Sequence, residues 1–351
     1  MSEESEMEDN GPLTTEEDLR RAAEITSKPP FVQIGNLCNF RDVGGWDVDV
    51  DVDLVVGGEE GEVGDEGDGI ETDGRRRVKG KVRKGILYRG PDLYISPFPF
   101  LSLIILDPTQ RTNSHPNKSG SLTTQGEQTL RDELHVKTIL DLRSVPQIER
   151  AGGVREVEGT RRVWCPVFEV AMYSPVNAGR RYGLYCGVGE GIVAAFEEIM
   201  EHSAKPSFIP LLHHLASLNP TQPDATILHC TTGNNRTGIL TALLLSLLGV
   251  PDSQIVDEYA LSHHGLASSR EKTVDRLMRN QRFVEVIGEG VEGRKKAARM
   301  VGARRESMGL FLQRVRERGG VEGWARGLGV SGECVEGVRG VMVEVFEEEG
   351  G

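Results

Sequence analysis

Apolar residues in the middle of the chain follow two alternating spacings, one typical of helices and one of short buried strands. Residues 126–134 have helical spacing, and residues 136–142 (VKTILDL) form an apolar run suited to a buried strand. Residues 162–167 then predict a strand, and residues 192–200 and 208–218 predict helices. Short apolar strands alternating with helices predict an α/β fold, in which a mostly parallel central sheet is flanked by helices.

The sequence marks one boundary between a predicted strand and a predicted helix more clearly than the others. Residues 226–229 predict a buried strand, and residues 237–248 (TGILTALLLSLL) predict an apolar helix that ends at Gly249, before Pro251. The loop between them, residues 230–236, lies where ligands bind in sheets of this class, beyond the carboxyl end of a strand. We therefore expect a functional site in this loop.

Two stretches interrupt this pattern. Residues 47–80 are rich in acidic residues and glycine and end in a basic cluster, whereas residues 98–125 are rich in Pro, Ser, Thr and Asn. Both predict disordered insertions of low complexity. The first separates two strands of a predicted hairpin, because residues 82–88 (VRKGILY) resume a strand-like pattern. The insertions interrupt a single predicted catalytic domain over residues 31–345.

Both ends of the 351-residue chain are charged. Residues 1–30 lack a sustained apolar period and predict a disordered tail with a short helix at residues 15–25. The first ten residues, MSEESEMEDN, lack the basic and apolar regions of a secretory signal. Residues 346–351 predict an acidic tail.

The net charge and the cysteine content disfavour several classes of function. The formal net charge of -13 disfavours nucleic-acid binding and stable association with an anionic membrane, since both partners are polyanions. The five cysteines are too scattered for a disulfide framework or a zinc site, which favours a reducing compartment. The longest apolar stretch, residues 238–250, is too short to span a bilayer. We expect a cytoplasmic location and leave nuclear entry open.

Cys230 carries the candidate chemistry. Among the five cysteines it alone is followed by an arginine, Arg236, six residues later. A tight loop running into a helix N-terminus converges backbone amides on an anion and stabilises a thiolate, the nucleophilic form of cysteine. The thiolate of Cys230 can then attack phosphorus, while the planar guanidinium of Arg236 holds two phosphate oxygens.

Neighbouring residues have supporting roles in this scheme. Thr237 is placed to donate its hydroxyl to the sulfur, His229 to orient the loop, and Gly233 to supply a positive φ or a close backbone approach. The predicted phosphate-binding residues are Thr231, Thr232, Gly233, Asn234, Asn235 and Arg236.

With these residues the chain resembles the cysteine phosphatases of the protein-tyrosine phosphatase superfamily, and in particular the bacterial and fungal tyrosine phosphatase family, type 3. Besides the loop (HCTTGNNRTG, residues 229–238), the resemblance rests on residues 39–45 (NFRDVGG), 87–89 (LYR) and 141–144 (DLRS), followed by Glu149. It implies the cysteine-phosphatase fold and hydrolysis of a phosphomonoester, such as phosphotyrosine in a protein, without a cofactor.

The loop departs from that family's pattern at two positions. Members often have Lys and Asp where this chain has Asn234 and Asn235. The resemblance associates the lysine with polyanionic lipid headgroups, so its absence disfavours phosphoinositides. The missing aspartate favours aryl esters, because a phenolate leaves with less help from an acid than an alkoxide does. Phosphotyrosine is the expected substrate, and dual specificity towards phosphoserine and phosphothreonine is left open.

The general acid has several candidates. Asp141 follows a predicted strand, so it is either the acid that protonates the leaving oxygen or a structural carboxylate paired with Arg143 or Arg41. Asp42 has the same two interpretations, of which the structural one is favoured, and a salt bridge within the N-terminal segment is expected for Arg41. Weaker candidates for the acid are Glu149 and Glu169.

Other functions remain as alternatives. A phosphoinositide or small-molecule phosphatase would use the same chemistry, and an inactive phosphate-binding protein would keep Cys230 and Arg236 but lack an effective acid. Sulfur transfer of the rhodanese kind also uses a loop cysteine, but the ending Arg236-Thr237-Gly238 suits phosphate better.

No metal site is predicted. The histidine pairs at residues 213–214 and 263–264 are adjacent, so on a helix they face different directions, and neither has a carboxylate at ligand spacing. Residues 302–345 have amphipathic helical spacing, which indicates packing against the core.

Overall fold

Strands and helices alternate in the middle of the chain, and helices alone occupy residues 235–342. The computed structural model describes residues 13–53, 75–93, 122–154 and 156–346. The strands are β1 (Arg41–Asp42), β2 (Asp47–Asp53), β3 (Arg75–Val82), β4 (Leu87–Gly90), β5 (Val136–Asp141), β6 (Arg161–Trp164), β7 (Ala225–His229) and β8 (Val343–Val345). The helices are α1 (Glu16–Thr26), α2 (Thr124–Gln128), α3 (Val145–Arg150), α4 (Pro175–Cys186), α5 (Glu190–Ser203), α6 (Ile209–Ala216), α7 (Asn235–Leu247), α8 (Asp252–Gly265), α9 (Ala267–Met278), α10 (Gln281–Ile287), α11 (Gly290–Val301), α12 (Arg305–Glu317), α13 (Gly320–Gly327) and α14 (Gly332–Met342).

A five-stranded sheet forms the centre of the protein, with strand order β1-β4-β7-β5-β6. Strands β4, β7, β5 and β6 are parallel, and β1 is antiparallel to β4 at one edge. The predicted α/β class with a mostly parallel sheet is therefore confirmed. In this register Gly90 and Asp141 both lie beside His229, so the carboxyl ends of three strands meet where the loop after β7 begins.

Helix α7 is buried on almost all sides because it packs against helices α5, α8 and α13 and shares one apolar core with Leu140 and Leu228 of the sheet. This burial explains why its sequence is apolar without a polar face. The helix ends as predicted: Gly249 has φ +85°, and the N–H of Val250 donates to the carbonyl of Leu245 at 3.0 Å.

A second, three-stranded antiparallel sheet of order β2-β3-β8 corrects the prediction for the first insertion. The two ends of that insertion, residues 47–53 and 75–80, lie in strands β2 and β3, although their composition predicted disorder. Val48 is 2% exposed and joins the main core, and the N–H of Asp49 donates to the carbonyl of Gly249 at 3.1 Å. Contact with the core overrides a composition that lacks large apolar groups.

The N-terminal segment also differs from its prediction as a tail. Helix α1 has the predicted position, with a capping box between Thr15 and Asp18, and it packs against α8 and α9. The N–H of Thr14 donates to Glu271 at 3.1 Å, and Ala22 is buried. Residues 13–30 therefore belong to the body of the domain, whereas residues 1–12 lie outside the described residues.

The remaining predictions fall partly outside the described residues. Most of the second insertion does so, but α2 begins within its predicted bounds, and Leu122 is 1% exposed in a satellite core. The amphipathic C-terminal segment forms α12 to α14 and packs inward, as predicted. Residues 347–351, most of the predicted acidic tail, are not described. No helix within the described ranges is long and apolar enough to cross a membrane.

Candidate active site

The carbonyl groups of the loop between β7 and α7 accept hydrogen bonds that fix the loop. The carbonyl of Thr231 accepts from the N–H of Asp92 at 3.2 Å, and that of Thr232 accepts from the side-chain amide of Asn39 at 3.1 Å. The carbonyls of Gly233 and Asn234 both accept from Nη2 of one arginine, at 2.7 Å and 3.2 Å. Because four successive carbonyls are directed away from the pocket, the amides between them are available on its inner side, as anion binding requires.

The arginine that holds the last two carbonyls is Arg89, from β4. Its Nη1 donates to Glu258 at 2.5 Å, and Arg41 donates to the other carboxylate oxygen of Glu258 at 2.8 Å. Arg41 also donates to Asn39 at 2.6 Å, so one buried network joins the loop to β1, β4 and α8. The partner of Arg41 is therefore Glu258, which corrects the expected salt bridge within the N-terminal segment.

Gly233 meets both conditions predicted for it. Its φ is +68°, which side chains on L-residues rarely allow. A Cβ atom at this position would also lie 2.5 Å from the backbone carbonyl of Gly90. The loop thus approaches β4 too closely for any other residue.

Cys230 and Arg236 line the same pocket. Arg236 donates through Nη2 to the hydroxyl of Thr231 at 3.1 Å, and through Nη1 to the side chain of Gln147 and to the carbonyl of Leu142 at 3.4 Å. The guanidinium is thereby held at the mouth of the loop, where its charge interacts with that of the cysteine sulfur.

The surroundings of Cys230 favour its thiolate. Burial alone would raise the pKa of this thiol, but the charge of Arg236 and hydrogen bonds from Thr237 and from the amide of Thr232 lower it below its ordinary value. The buried hydroxyl of Thr237 has no nitrogen or oxygen partner among the described residues, which leaves it free for the sulfur.

The pocket has a volume of about 160 Å³ and extends from the loop to the surrounding helices. Its walls are mainly apolar, with Leu277 from α9 and Met300 from α11, and with aromatic side chains. These aromatic residues are Phe168, Tyr173, Tyr182 and Tyr185. All the predicted phosphate-binding residues except Gly233 line it. Within the parts of the chain that the structure describes, no Asp, Glu or His lines this pocket.

Asp141 lies below the loop rather than in the pocket. It is 0% exposed, and it accepts hydrogen bonds from Arg143 at 2.8 Å and from Arg162 at 2.7 Å. Burial would raise the pKa of this carboxyl, but the charge and the hydrogen bonds of Arg143 lower it overall. A buried, ionised carboxylate has no proton to donate, so this placement favours the alternative in which Asp141 is structural and paired with Arg143. Its role as the acid remains an untested prediction.

His229 links Asp141 to the loop. Its Nε2 lies 3.6 Å from Asp141, and its Nδ1 lies 3.2 Å from the carbonyl of Cys230. Burial lowers the pKa of His229 to about 4, so the ring is neutral at neutral pH and the arginines supply the charge that balances Asp141. This arrangement suits a residue that orients the loop.

The other acid candidates lie outside the pocket. Asp42 accepts from the backbone amides of Gly44 and Gly85, each at 2.8 Å, which is the structural role favoured for it. Glu149 and Glu169 are exposed and do not line the pocket.

The two asparagines that depart from the family pattern are engaged by the protein. Asn234 donates to the carbonyl of Gly302 at 3.0 Å, and Asn235 accepts from the hydroxyl of Tyr259 at 3.1 Å. Both line the pocket, but neither side chain can supply a proton as a carboxylic acid would.

Sequence reasoning missed the support that four residues give to the site: Gln147, Asn39, Arg89 and Glu258. Gln147 lies on α3, Glu258 lies on α8, and the other two lie in motifs that the resemblance identified only as sequence patterns. These residues lie far from the loop in the sequence, so the spacing of residues could not predict their contacts with it.

The histidine pairs have no catalytic position: His214 contacts Thr226 at 2.8 Å. Across the described residues no cluster of three or more His, Cys, Asp or Glu could hold a metal ion.

Comparison with known proteins agrees with this geometry. A tyrosine-protein phosphatase of Nostoc commune is 31% identical to the chain over 146 residues, which cover 40% of this chain and 46% of that protein. The chain thus matches slightly under half the length of this curated relative. A sequence model of the tyrosine phosphatase family matches residues 115–344, about two thirds of the chain and all of the loop. The chain belongs to the tyrosine phosphatase family.

Proposed function

We propose that this protein is a cysteine-dependent phosphatase that hydrolyses phosphotyrosine through a phosphocysteine intermediate. The observation that carries the proposal is the loop itself, in which four carbonyls are bound from behind while Cys230 and Arg236 line one pocket. This geometry gives a phosphate dianion several preorganised donors beside a nucleophile with a lowered pKa.

In the first step the sulfur of Cys230 attacks phosphorus, an S–P bond forms, and the bond between phosphorus and the phenolic oxygen breaks. Arg236 and the loop amides stabilise the charge on the three equatorial oxygens. Water then attacks the phosphorus of the intermediate, which releases inorganic phosphate and restores the thiolate. A proton from that water ends on the phenol. Thr237 stabilises the thiolate as it leaves in this second step.

The substrate preference follows from the lining of the pocket. Its described residues supply no carboxylic acid or imidazole to protonate a leaving oxygen, and Asn234 and Asn235 do not replace one. A phenolate, whose conjugate acid titrates near pH 10, leaves more readily than an alkoxide. Aromatic walls also suit a phenyl ring. We therefore propose phosphotyrosine as the main substrate, with phosphoserine and phosphothreonine turned over much more slowly.

Hydrolysis of a phosphotyrosine peptide, followed by rapid acid quenching, tests the proposal. We expect turnover and a trapped phosphoprotein, both lost in Cys230→Ser. Cys334→Ser is the matched control, because Cys334 is half-buried on α14 and does not line the pocket. It should leave turnover within about twofold of wild type, since surface substitutions usually have small effects.

The alternatives give different results in the same assays. A phosphoinositide phosphatase would turn over a soluble inositol phosphate faster than the peptide. An inactive phosphate-binding protein would bind the peptide, and Cys230→Ser would change neither turnover nor trapping. Either result would overturn the proposed function.

A further inference from the structure

Three arginines besides Arg236 line the pocket: Arg150, Arg181 and Arg270. Arg270 is bound through both terminal nitrogens, to the hydroxyl of Thr14 and to the carbonyl of His263. Neither Arg150 nor Arg181 forms an ion pair with a carboxylate in the described ranges of the chain. A positive group that is removed from water without a partner is costly. Their location in a pocket suggests that a ligand supplies the missing negative charge.

Arg181 is built into the wall of the pocket. It lies on α4 and is only 6% exposed. Its Nη2 donates to the carbonyl of Met172 at 2.5 Å, and its guanidinium carbon lies 4.8 Å and 5.0 Å from the ring centres of Phe168 and Tyr173. Its Nη1 is buried and has no hydrogen-bond partner among the described residues. One strong donor is thus oriented by its surroundings and left unused.

Arg150 is held less tightly but is also without an acidic partner. Its Nε donates to the carbonyl of Pro146 at 2.7 Å, within the same helix, and no described residue accepts from its terminal nitrogens. Burial lowers the pKa of Arg150, and the charge of Arg236 lowers it further, so the two cations lie within electrostatic range. A second anion in the pocket would relieve this repulsion.

The scissile phosphate already has its donors in the loop amides and in Arg236. Arg236 is anchored by Gln147 and Thr231, next to the nucleophile. Arg181 is anchored instead by Met172 and by the rings of Phe168 and Tyr173, which belong to a different part of the wall. A single phosphate on the loop does not account for both groups of donors.

We propose that Arg150 and Arg181 form a second anion subsite, and that the preferred substrate is an aryl phosphate carrying a carboxylate or a second phosphate on the same molecule. This inference rests on the proposed phosphatase function. Because Arg150 and Arg181 line the same pocket as Cys230, the second anion belongs to the group attached to the phenyl ring rather than to a distant part of a partner.

Two matched substrates test the subsite: the phosphate ester of para-hydroxyphenylpropanoate and the same ester of its primary amide. They share a leaving group of nearly equal acidity and differ in one charge. We expect kcat/KM to be about tenfold higher for the carboxylate, because a charge-assisted hydrogen bond is stronger than a neutral one. A phosphonate in place of the carboxylate shows which of the two anions is preferred.

Variants assign the effect to the two arginines. Arg181→Gln and Arg150→Gln should each lower the ratio of the two kcat/KM values towards one, mainly by slowing the carboxylate, and Arg181→Lys should keep part of the ratio. Arg180→Gln is the matched control, since Arg180 neighbours Arg181 on α4 but is exposed and paired with Glu198. It should leave the ratio unchanged.

Each other outcome has a definite meaning. Equal kcat/KM values for the two esters in wild type would refute the subsite while leaving the phosphatase function intact. An equal loss for both esters in Arg181→Gln, together with a lower melting temperature, would assign this residue to packing alone and overturn its proposed role. No turnover of either ester would contradict the proposed function instead.

Discussion

Arg89 donates a hydrogen bond of 2.7 Å to the backbone carbonyl of Gly233, and both residues are buried beneath the candidate nucleophile. The same nitrogen reaches the carbonyl of Asn234, while the other terminal nitrogen pairs with Glu258. A planar guanidinium can make these contacts together, whereas the ammonium group of a lysine cannot span the same positions. Arg89 thus acts on the loop backbone without lining the pocket.

Arg89→Lys should therefore impair catalysis more than it impairs folding. With the loop carbonyls released, the amides lose their alignment with phosphate, and we expect kcat to fall by about 10- to 100-fold. Steady-state kinetics and thermal unfolding measure the two effects. The control is Arg83→Lys, because Arg83 also donates to a backbone carbonyl, that of Pro220, but far from the loop. Similar kinetics for the two variants would contradict the positioning role.

Gly233→Ala should be strongly destabilising because two penalties combine. The positive φ disfavours any side chain by about 1–2 kcal/mol, and the added Cβ would collide with the backbone of Gly90. Gly319→Ala isolates the first penalty, since Gly319 has φ +96° with nothing within 4 Å of the added atom. Urea unfolding of both variants separates the penalties, and equal losses would show that the collision is relieved at no cost.

Removing the charge of Arg236 should raise the pKa of Cys230. The thiolate is stabilised first by Arg236 and then by Thr237, so Arg236→Met should raise the midpoint of thiolate formation more than Thr237→Val does. The change in ultraviolet absorbance of the thiolate with pH measures this midpoint, with Cys230→Ser as the blank. A midpoint unchanged in Arg236→Met would mean that the guanidinium does not contact the sulfur.

Asp141→Asn should lower stability and slow all substrates alike. Removing one member of this buried ion cluster leaves Arg143 and Arg162 without their shared partner, which costs about 3 kcal/mol. If Asp141 is structural, phenyl phosphate and an alkyl phosphate lose activity by the same factor, and the alkaline limb of the pH profile is unchanged. A selective loss for the alkyl ester would instead identify Asp141 as the general acid. Asp132→Asn, an exposed carboxylate paired with Arg131, is the control.

Acid should destabilise the fold through His229. The unfolded imidazole takes up a proton below about pH 6.5, whereas the buried ring does so only near pH 4. Between these values the unfolded state binds more protons, so stability falls as pH falls, by about 2 kcal/mol at pH 5. His229→Gln should show a shallower decline in urea unfolding between pH 7 and 5, whereas His213→Gln, at an exposed position, should follow wild type. Parallel declines in all three proteins would exclude this contribution.

Local patterns predicted the parts of the fold that depend on neighbouring residues. The apolar run before Cys230 and the apolar helix after it are β7 and α7, and Gly249 ends the helix with the backbone conformation that its residue type favours. Composition was a weaker guide to residues 47–53 and 75–80, because their order depends on pairing between strands far apart in sequence, including β8. Pairing between distant strands cannot be predicted from a short stretch of sequence.

The sequence by itself determined the chemistry of the site: a cysteine and an arginine at the two ends of a loop between a buried strand and a buried helix. Tertiary structure decided how the other polar residues are used. Asp141 has the sequence position of an acid, but two arginines that converge on it from β6 and from the turn after β5 make it a buried anion. Arg89 and Gly233 lie 144 residues apart, and their hydrogen bond exists only because β4 and β7 are adjacent in the sheet. Spacing along a chain fixes which groups share a loop, whereas packing fixes which charges meet and lose their water.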